Sequence, residues 1–226
     1  MNSKAFAIFL KDFRSELRTR YAVNSLAMFI IVAISVILFS IGQEKIPQNL
    51  TGGLFWVVIF FSAMSGLSRA FVSEEERGTT LTLQLVASPT TVFTGKLLFN
   101  LILVFIMNII IALLYSALFE EFVILNFSLF LMTFVLANFG LAVSSTIIAA
   151  IISKAGSKGT LYPVLSFPIL LPLILTSVQL TSACMVGTTF DESSINLAVL
   201  VCYDVIMLTA SYMLFDFIWE RLYPRK

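Results

Sequence analysis

The chain has 226 residues, 59% of them hydrophobic and 12% charged, with a formal net charge of +1 and a mean hydropathy of +0.99. Soluble domains run nearer half apolar and a quarter charged, so this composition excludes an ordinary soluble enzyme and points to a membrane protein. There is no histidine and no glycine-rich phosphate loop ending in Gly-Lys-Ser/Thr. Metal, haem-ligating and nucleotide-hydrolysing chemistry is therefore not expected of this chain, and neither is a nucleic-acid partner.

The first twenty residues read as a separate helix. Phe6, Phe9, Leu10, Phe13 and Leu17 recur at helical spacing, and Lys4, Lys11, Arg14 and Arg18 decorate the rest of the surface. Such a helix lies in the membrane interface, held by apolar burial and by attraction to anionic lipid. Two readings stand: a basic anchor that fixes topology, or an elbow helix packed on the bundle and shaping a partner-binding surface.

A hydrocarbon core of about 30 Å needs about 20 apolar residues in a helix. Six stretches meet that demand: Ala22–Ile41, Gly52–Phe71, Leu97–Phe119, Phe127–Ile152, Leu161–Met185 and Ile195–Trp219. The first is read as a retained span, because its uncharged run is long and "FSIGQEKIP" offers no A-x-A cleavage site. With the N-terminus inside, thirteen of the fourteen Lys and Arg fall inside and only Lys45 lies outside. Both termini are thus expected in the cytoplasm. The expectation is an all-α membrane protein, one transmembrane domain over residues 1–226, with six spans, an interfacial helix over 1–20 and a short cytoplasmic helix.

That short helix belongs to "FVSEEERGTTLTLQLVASP", residues 71–89, the least lipid-like internal stretch. Ser73 and Glu76 match a capping box, and Glu74, Glu75 and Glu76 complement the positive end of a helix dipole. A helix is expected to start at Glu74, weakened by Gly78, Thr79 and Thr80. Leu81, Leu83, Leu85 and Val86 are too apolar for a solvated loop. Leu81 and Leu85 suit a helix, whereas the 81/83/85 alternation suits a strand. Pro89 is expected to end the element before the chain returns to the membrane at Lys96 and Leu97. Either the leucines dip into the interface, or the segment docks in a cleft of a cytoplasmic protein.

Asp204 is the only acidic residue deep inside a span. A charge there costs about 2.5–3.5 kcal/mol, so it is expected to face the bundle interior. Two roles stay open: an interhelical hydrogen bond, for example to Asn108 or Asn138, or a proton-relay or substrate group, with Ser211 close to the same face. Asp216 reads as an interface residue. Pro163, Pro168 and Pro172 predict a bent or broken fifth span that acts as a hinge or shapes packing. Ser62 with Gly66, and Gly140 with Ser144, offer small faces for close helix contact. Cys184 and Cys202 read as small apolar residues rather than a disulfide.

The blocks "RSELRTRYAVNSLAMF", "GLFWVVIFFSAMSGLSRAFVSEEERGT", "GKLLFNL" and "SFPILLPLIL" resemble the haem exporter protein B family, over nearly the whole chain. The second block carries the most specific likeness. The resemblance implies an ABC-2-type permease fold in the bacterial inner membrane, driven by a separate cytoplasmic ATP-binding-cassette ATPase. It also implies a haem-handling membrane partner, a periplasmic haem chaperone, and a role in cytochrome c maturation. Residues 73–89 would be the coupling segment, with Ser73, Glu74, Glu75, Glu76, Arg77, Gly78, Leu81 and Leu85 at or near the ATPase contact. ATP would sit on the partner. Haem would be a handled substrate with no tight site here, and the subunit would pair as a homo- or heterodimer. Rival readings are a non-transporting scaffold of the maturation complex and a proton-coupled transporter using Asp204.

Overall fold

In the computed structural model the described residues are 2–42, 46–67, 71, 74, 78–154 and 161–220, and among them there is no strand. In chain order the helices are α1 (Asn2–Thr19), α2 (Tyr21–Ile41), α3 (Gln48–Leu67), α4 (Thr80–Val86), α5 (Pro89–Leu118), α6 (Phe127–Lys154), α7 (Leu161–Val186) and α8 (Phe190–Glu220). All but α1 and α4 are long and apolar enough to cross a membrane, which makes six spans. Alternating crossings bring α1, α4, the last turn of α6 and the first turn of α7 to one end of the bundle, here the α1 end. The end of α2, the start of α3 and the connections at 118–127 and 186–190 share the far end.

Several helices begin before their apolar stretch. α3 starts at Gln48 rather than Gly52, α5 at Pro89 rather than Leu97, and α8 at Phe190 rather than Ile195. A first turn needs no partner for its amide groups, so polar residues serve there. Asp191 and Glu192 lie in the first turn of α8, where they complement the dipole. Pro89 corrects the sequence reading most clearly. It occupies the first turn of α5, where a missing amide hydrogen is harmless, and it keeps Ser88 extended. The break between α4 and α5 is therefore short, and Lys96 lies well inside α5. At the other boundary, Phe71 sits in a turn beyond the end of α3.

α6 is the central helix, packed against α3, α5, α7 and α8. Its stretch from Gly140 to Ala150 is buried on every side, which explains a sequence apolar and small all round. Three pairs of polar groups enclosed in the bundle satisfy one another, because hydrocarbon supplies no water. Asn100 donates to Thr146 Oγ1 at 2.8 Å, Asn108 donates to the Asn138 side-chain oxygen, and Trp56 donates to Thr181 Oγ1 at 2.8 Å.

α7 runs unbroken through Pro168 and Pro172, and Pro163 falls in its first turn. The expected break is thus not there. Neighbouring side chains occupy carbonyls beside the prolines: Thr176 donates to Pro172 O at 2.8 Å, and Tyr203 of α8 donates to Ile169 O at 3.0 Å. The Tyr203 hydroxyl also accepts from Ser144 Oγ at 2.9 Å, tying α6, α7 and α8 together. Both cysteines are free, Cys184 buried and Cys202 exposed.

At the far end the α5–α6 connection folds back onto the bundle. The Leu125 and Asn126 amides both donate to Cys184 O at 3.1 Å. Asn126 Oδ1 caps α6 by accepting from the Leu129 amide at 3.1 Å. Phe55, Tyr115, Phe122 and Phe130 close this end as an aromatic cluster.

Candidate functional site

The α1 end carries the densest chemistry, and its geometry starts from one glycine. A Cβ on Gly95 of α5 would come within 2.8 Å of the Ala5 carbonyl oxygen and of Ile8 Cβ. Glycine lets α1 lie directly on α5, with Ala5 and Ile8 buried in the contact. α1 is thus packed against the bundle. The next residue, Lys96, is 2% exposed and extends beneath α1.

Four charged side chains from three segments meet there. Lys96 Nζ lies 3.0 Å from Asp12 Oδ2 and 3.0 Å from Glu74 Oε1. Lys11 Nζ lies 3.2 Å from Asp12 Oδ1 and bonds directly to the Glu74 carboxylate. Thr79 Oγ1 donates to Glu74 Oε2 at 2.5 Å. The Phe71 ring lies under the Lys96 ammonium, 5.6 Å from nitrogen to centroid, close enough for a cation–π contact. Two cations and two carboxylates balance, so the cluster can be buried.

The backbone before α4 is shaped to deliver Glu74. The Glu74 amide donates to Phe71 O at 3.1 Å and the Thr79 amide to Glu74 O at 3.0 Å. The latter bond passes over Gly78, whose φ of +65° lies in the left-handed region that glycine adopts freely. Burial works against the charge on Glu74. Lys96, the Lys11 hydrogen bond and the Thr79 hydroxyl together outweigh it and hold the carboxyl down at about 2, against an ordinary 4.5. Burial likewise opposes the charge on Lys11, but Asp12 and Glu74 prevail and raise its pKa.

α4 is a helix, which resolves the helix-or-strand ambiguity of Leu81, Leu83 and Leu85. Three ties hold its surroundings. Gln84 Nε2 donates to Trp219 O near the end of α8 at 3.1 Å. Lys4 Nζ donates to Val86 O at the end of α4 at 3.2 Å, a favourable place for a cation. Leu83 packs on the core. Beneath them Phe71, Phe93, Phe215 and Trp219 form an aromatic floor. Leu85 and Val86 point away, 88% and 61% exposed.

Of the residues expected at an ATPase contact, Glu74 turns inward and is 8% exposed. Gly78 forms the turn, and Leu85 stands outward. Ser73, Glu75, Glu76 and Arg77, and with them the capping box, lie outside the described residues, as does the Leu81 side chain. Sequence reasoning missed Lys96 as the partner of Glu74 and Asp12 as the second carboxylate that Lys96 and Lys11 share. The available signals were the lone acid between Lys11 and Arg14, and a lysine at the head of an apolar run.

Asp204 stands apart from this cluster. It is 5% exposed, and neither carboxyl oxygen has a hydrogen-bond partner among the described residues. The expected bond to Asn108 or Asn138 is not made, because those two amides satisfy each other. Asp204 faces Gly140, where a Cβ would overlap its Oδ1 and lie 2.9 Å from Leu173 Cδ1. Ser211 is buried nearby in the sequence, and its hydroxyl has no hydrogen-bond partner among the described residues. Asp216 is half-buried, short of Trp219, which is buried.

A comparison with curated proteins found no match. The family described as "CcmB protein" matches residues 3–215, from α1 to within α8. The chain therefore belongs to the CcmB family, and its six spans are those of a multi-pass membrane permease subunit of the ABC-type haem exporter in cytochrome c biogenesis.

Proposed function

We propose that α4 and the turn before it receive movement from a cytoplasmic ABC ATPase and hand it to the spans. One observation carries the reading: Leu85 and Val86 form an exposed apolar tip on a helix tied to α1 and α8. Apolar anchors on a braced helix suit docking in a groove, and the family supplies the class of partner. A push on α4 reaches α8 through Gln84, α1 through Lys4 and Lys11, and α5 through Glu74 and Lys96. Lys4, Lys11, Arg14, Arg18, Arg20 and Lys96 all gather at this end, which by the positive-inside rule makes it cytoplasmic. Both termini then face the cytoplasm of a bacterium, with the spans in its inner membrane.

Within the complex this subunit serves haem delivery beside a haem-handling membrane partner. Its movement releases the loaded periplasmic chaperone. ATP sits on the ATPase, and haem is a substrate that this histidine-free chain does not ligate tightly. The working unit is a dimer, with itself or with another membrane subunit. The test is a pull-down of the ATPase with the chain carrying Leu85→Asp and Val86→Asp. ATPase recovery is expected to fall by about tenfold or more, while the unfolding midpoint of the isolated chain stays put. Undiminished recovery overturns the docking role.

A further inference from the structure

We propose that the outer basic face of α1 is a discrete groove for the headgroup of an anionic phospholipid. α1 has three faces. Ala5, Ile8 and Asp12 turn toward the bundle. Phe6, Phe9 and Phe13 form a ladder of rings with centroids 5.6 and 5.9 Å apart. Along the third face Ala7, Leu10, Lys11, Arg14, Ser15 and Arg18 line a groove of about 610 Å³. Their spacing of three and four residues makes them one continuous stripe.

Three observations point to an amphiphile. The guanidinium groups of Arg14 and Arg18 are exposed and have no ion pair or hydrogen bond among the described residues. The forked guanidinium matches a phosphate with two parallel hydrogen bonds. The lining beneath the cations is apolar, from Ala7 and Leu10, and it lies beside the phenylalanine ladder. When α1 rests in the interface, that ladder dips among acyl chains and the cations stand at phosphate level. A free phosphate ion would use only half of this surface, whereas a phospholipid uses both halves.

The groove also borders the ion-pair cluster. Lys11 and Ser15 line it, and they equally line a neighbouring cavity of about 330 Å³ shared with Asp12, Glu74, Thr79, Thr82, Leu83 and Val86. A headgroup phosphate beside Lys11 competes with Glu74 and Asp12 for that ammonium, so lipid occupancy loosens the tie between α1 and the turn before α4. This consequence rests on the coupling role proposed above. The binding itself does not.

The test is native mass spectrometry of the purified full chain, without its ATPase, titrated with phosphatidylglycerol or with phosphatidylcholine. The wild-type chain is expected to prefer phosphatidylglycerol. Arg14→Gln with Arg18→Gln is expected to weaken that binding by about thirtyfold, roughly fivefold for each arginine. Arg225→Gln with Lys226→Gln removes the same charge at the C-terminus and should leave the preference intact. Inorganic phosphate added in excess should not displace the lipid. Equal retention of both lipids overturns the proposal, as does a preference that survives in the Arg14/Arg18 variant, is lost in the C-terminal variant, or yields to inorganic phosphate. Unchanged lipid preference with loss of ATPase recovery in the Arg14/Arg18 variant would assign the face to the protein partner instead. Neither guanidinium has a partner among the described residues, so this variant is expected to keep the wild-type unfolding midpoint. Since the ATPase is absent, failure here is separate from failure of the Leu85 test.

Discussion

Glu74 and Asp204 are both carboxylates withdrawn from solvent, 8% and 5% exposed, and their surroundings are opposite. Glu74 has two ammonium groups and a hydroxyl within reach, contributed by α1, α5 and Thr79. Asp204 has no donor among the described residues, only the space left by a glycine. Burial of a charge is tolerable where matching charges arrive with it, and then breaking the match is what costs. Where no donor arrives, nothing offsets the charge, and shape alone accommodates the group. One carboxylate therefore binds segments together, while the other marks a close helix crossing.

The largest expected effect comes from breaking the matched site. Glu74→Gln leaves Lys96 and Lys11 against Asp12 alone, and should lower stability by about 3 kcal/mol or more. The check is the unfolding midpoint of the purified chain in detergent. Adding Lys96→Met to the same chain should recover part of the loss, since removing both charges of a buried pair is better tolerated than removing one. Asp204→Asn should cost less than Glu74→Gln, because the neutral amide removes no partner. An equal loss in the two single variants would erase the distinction.

A second pair of changes sharpens the steric side. Gly140→Ala drives a methyl into Asp204 and Leu173, an overpacking that should cost about 1–3 kcal/mol. Asp204→Ala in the same chain should relieve part of it, a coupling that independent sites do not show. Gly95→Ala should cost a similar amount, but its clash includes the Ala5 carbonyl oxygen, so truncating a side chain will not fully relieve it. A double-mutant cycle at each glycine separates the two cases.

A subtler effect lies in pH. The folded-state pKa of Glu74 is held near 2, below its ordinary 4.5, so the folded state binds fewer protons over that range. Its contribution is complete above pH 4.5 and is lost as pH falls toward 2. Lys11 is shifted upward from 10.5, so its contribution is complete below that value and is lost at higher pH. The stability difference between wild type and Glu74→Gln should be flat between 4.5 and 10.5 and shrink on the acid side. Thermal midpoints across pH measure it. The smallest effect on stability is expected for Leu85→Asp, within about 0.5 kcal/mol, because Leu85 touches little of its own chain.

Much of the fold was legible beforehand. Six apolar runs, an amphipathic leader and a polar insert with a leucine ridge describe the helices in the right order. The ends were less legible. Pro89 was read as a stop, yet the fold uses it as a start, because a first helical turn does not need the amide that proline lacks. For Asp204 one of the two open roles is a hydrogen bond to Asn108 or Asn138, yet those two amides pair with each other. Pro168 and Pro172 suggest a bent or broken span, yet α7 continues through them without a break.

By itself the sequence determined that this protein lives in a bilayer, how often it crosses, that an amphipathic helix leads the first span and which family it resembles. These follow from composition, from local periodicity and from contiguous blocks, all of which act over short stretches of chain. Only the tertiary structure decided that Lys11, Asp12, Glu74 and Lys96 form one charge-balanced cluster, since partners such as Lys11 and Glu74 lie 63 residues apart. It also decided that Asp204 has no hydrogen-bond partner among the described residues and lies against Gly140. Pairing of distant charges depends on which helix faces meet, and no local pattern encodes that.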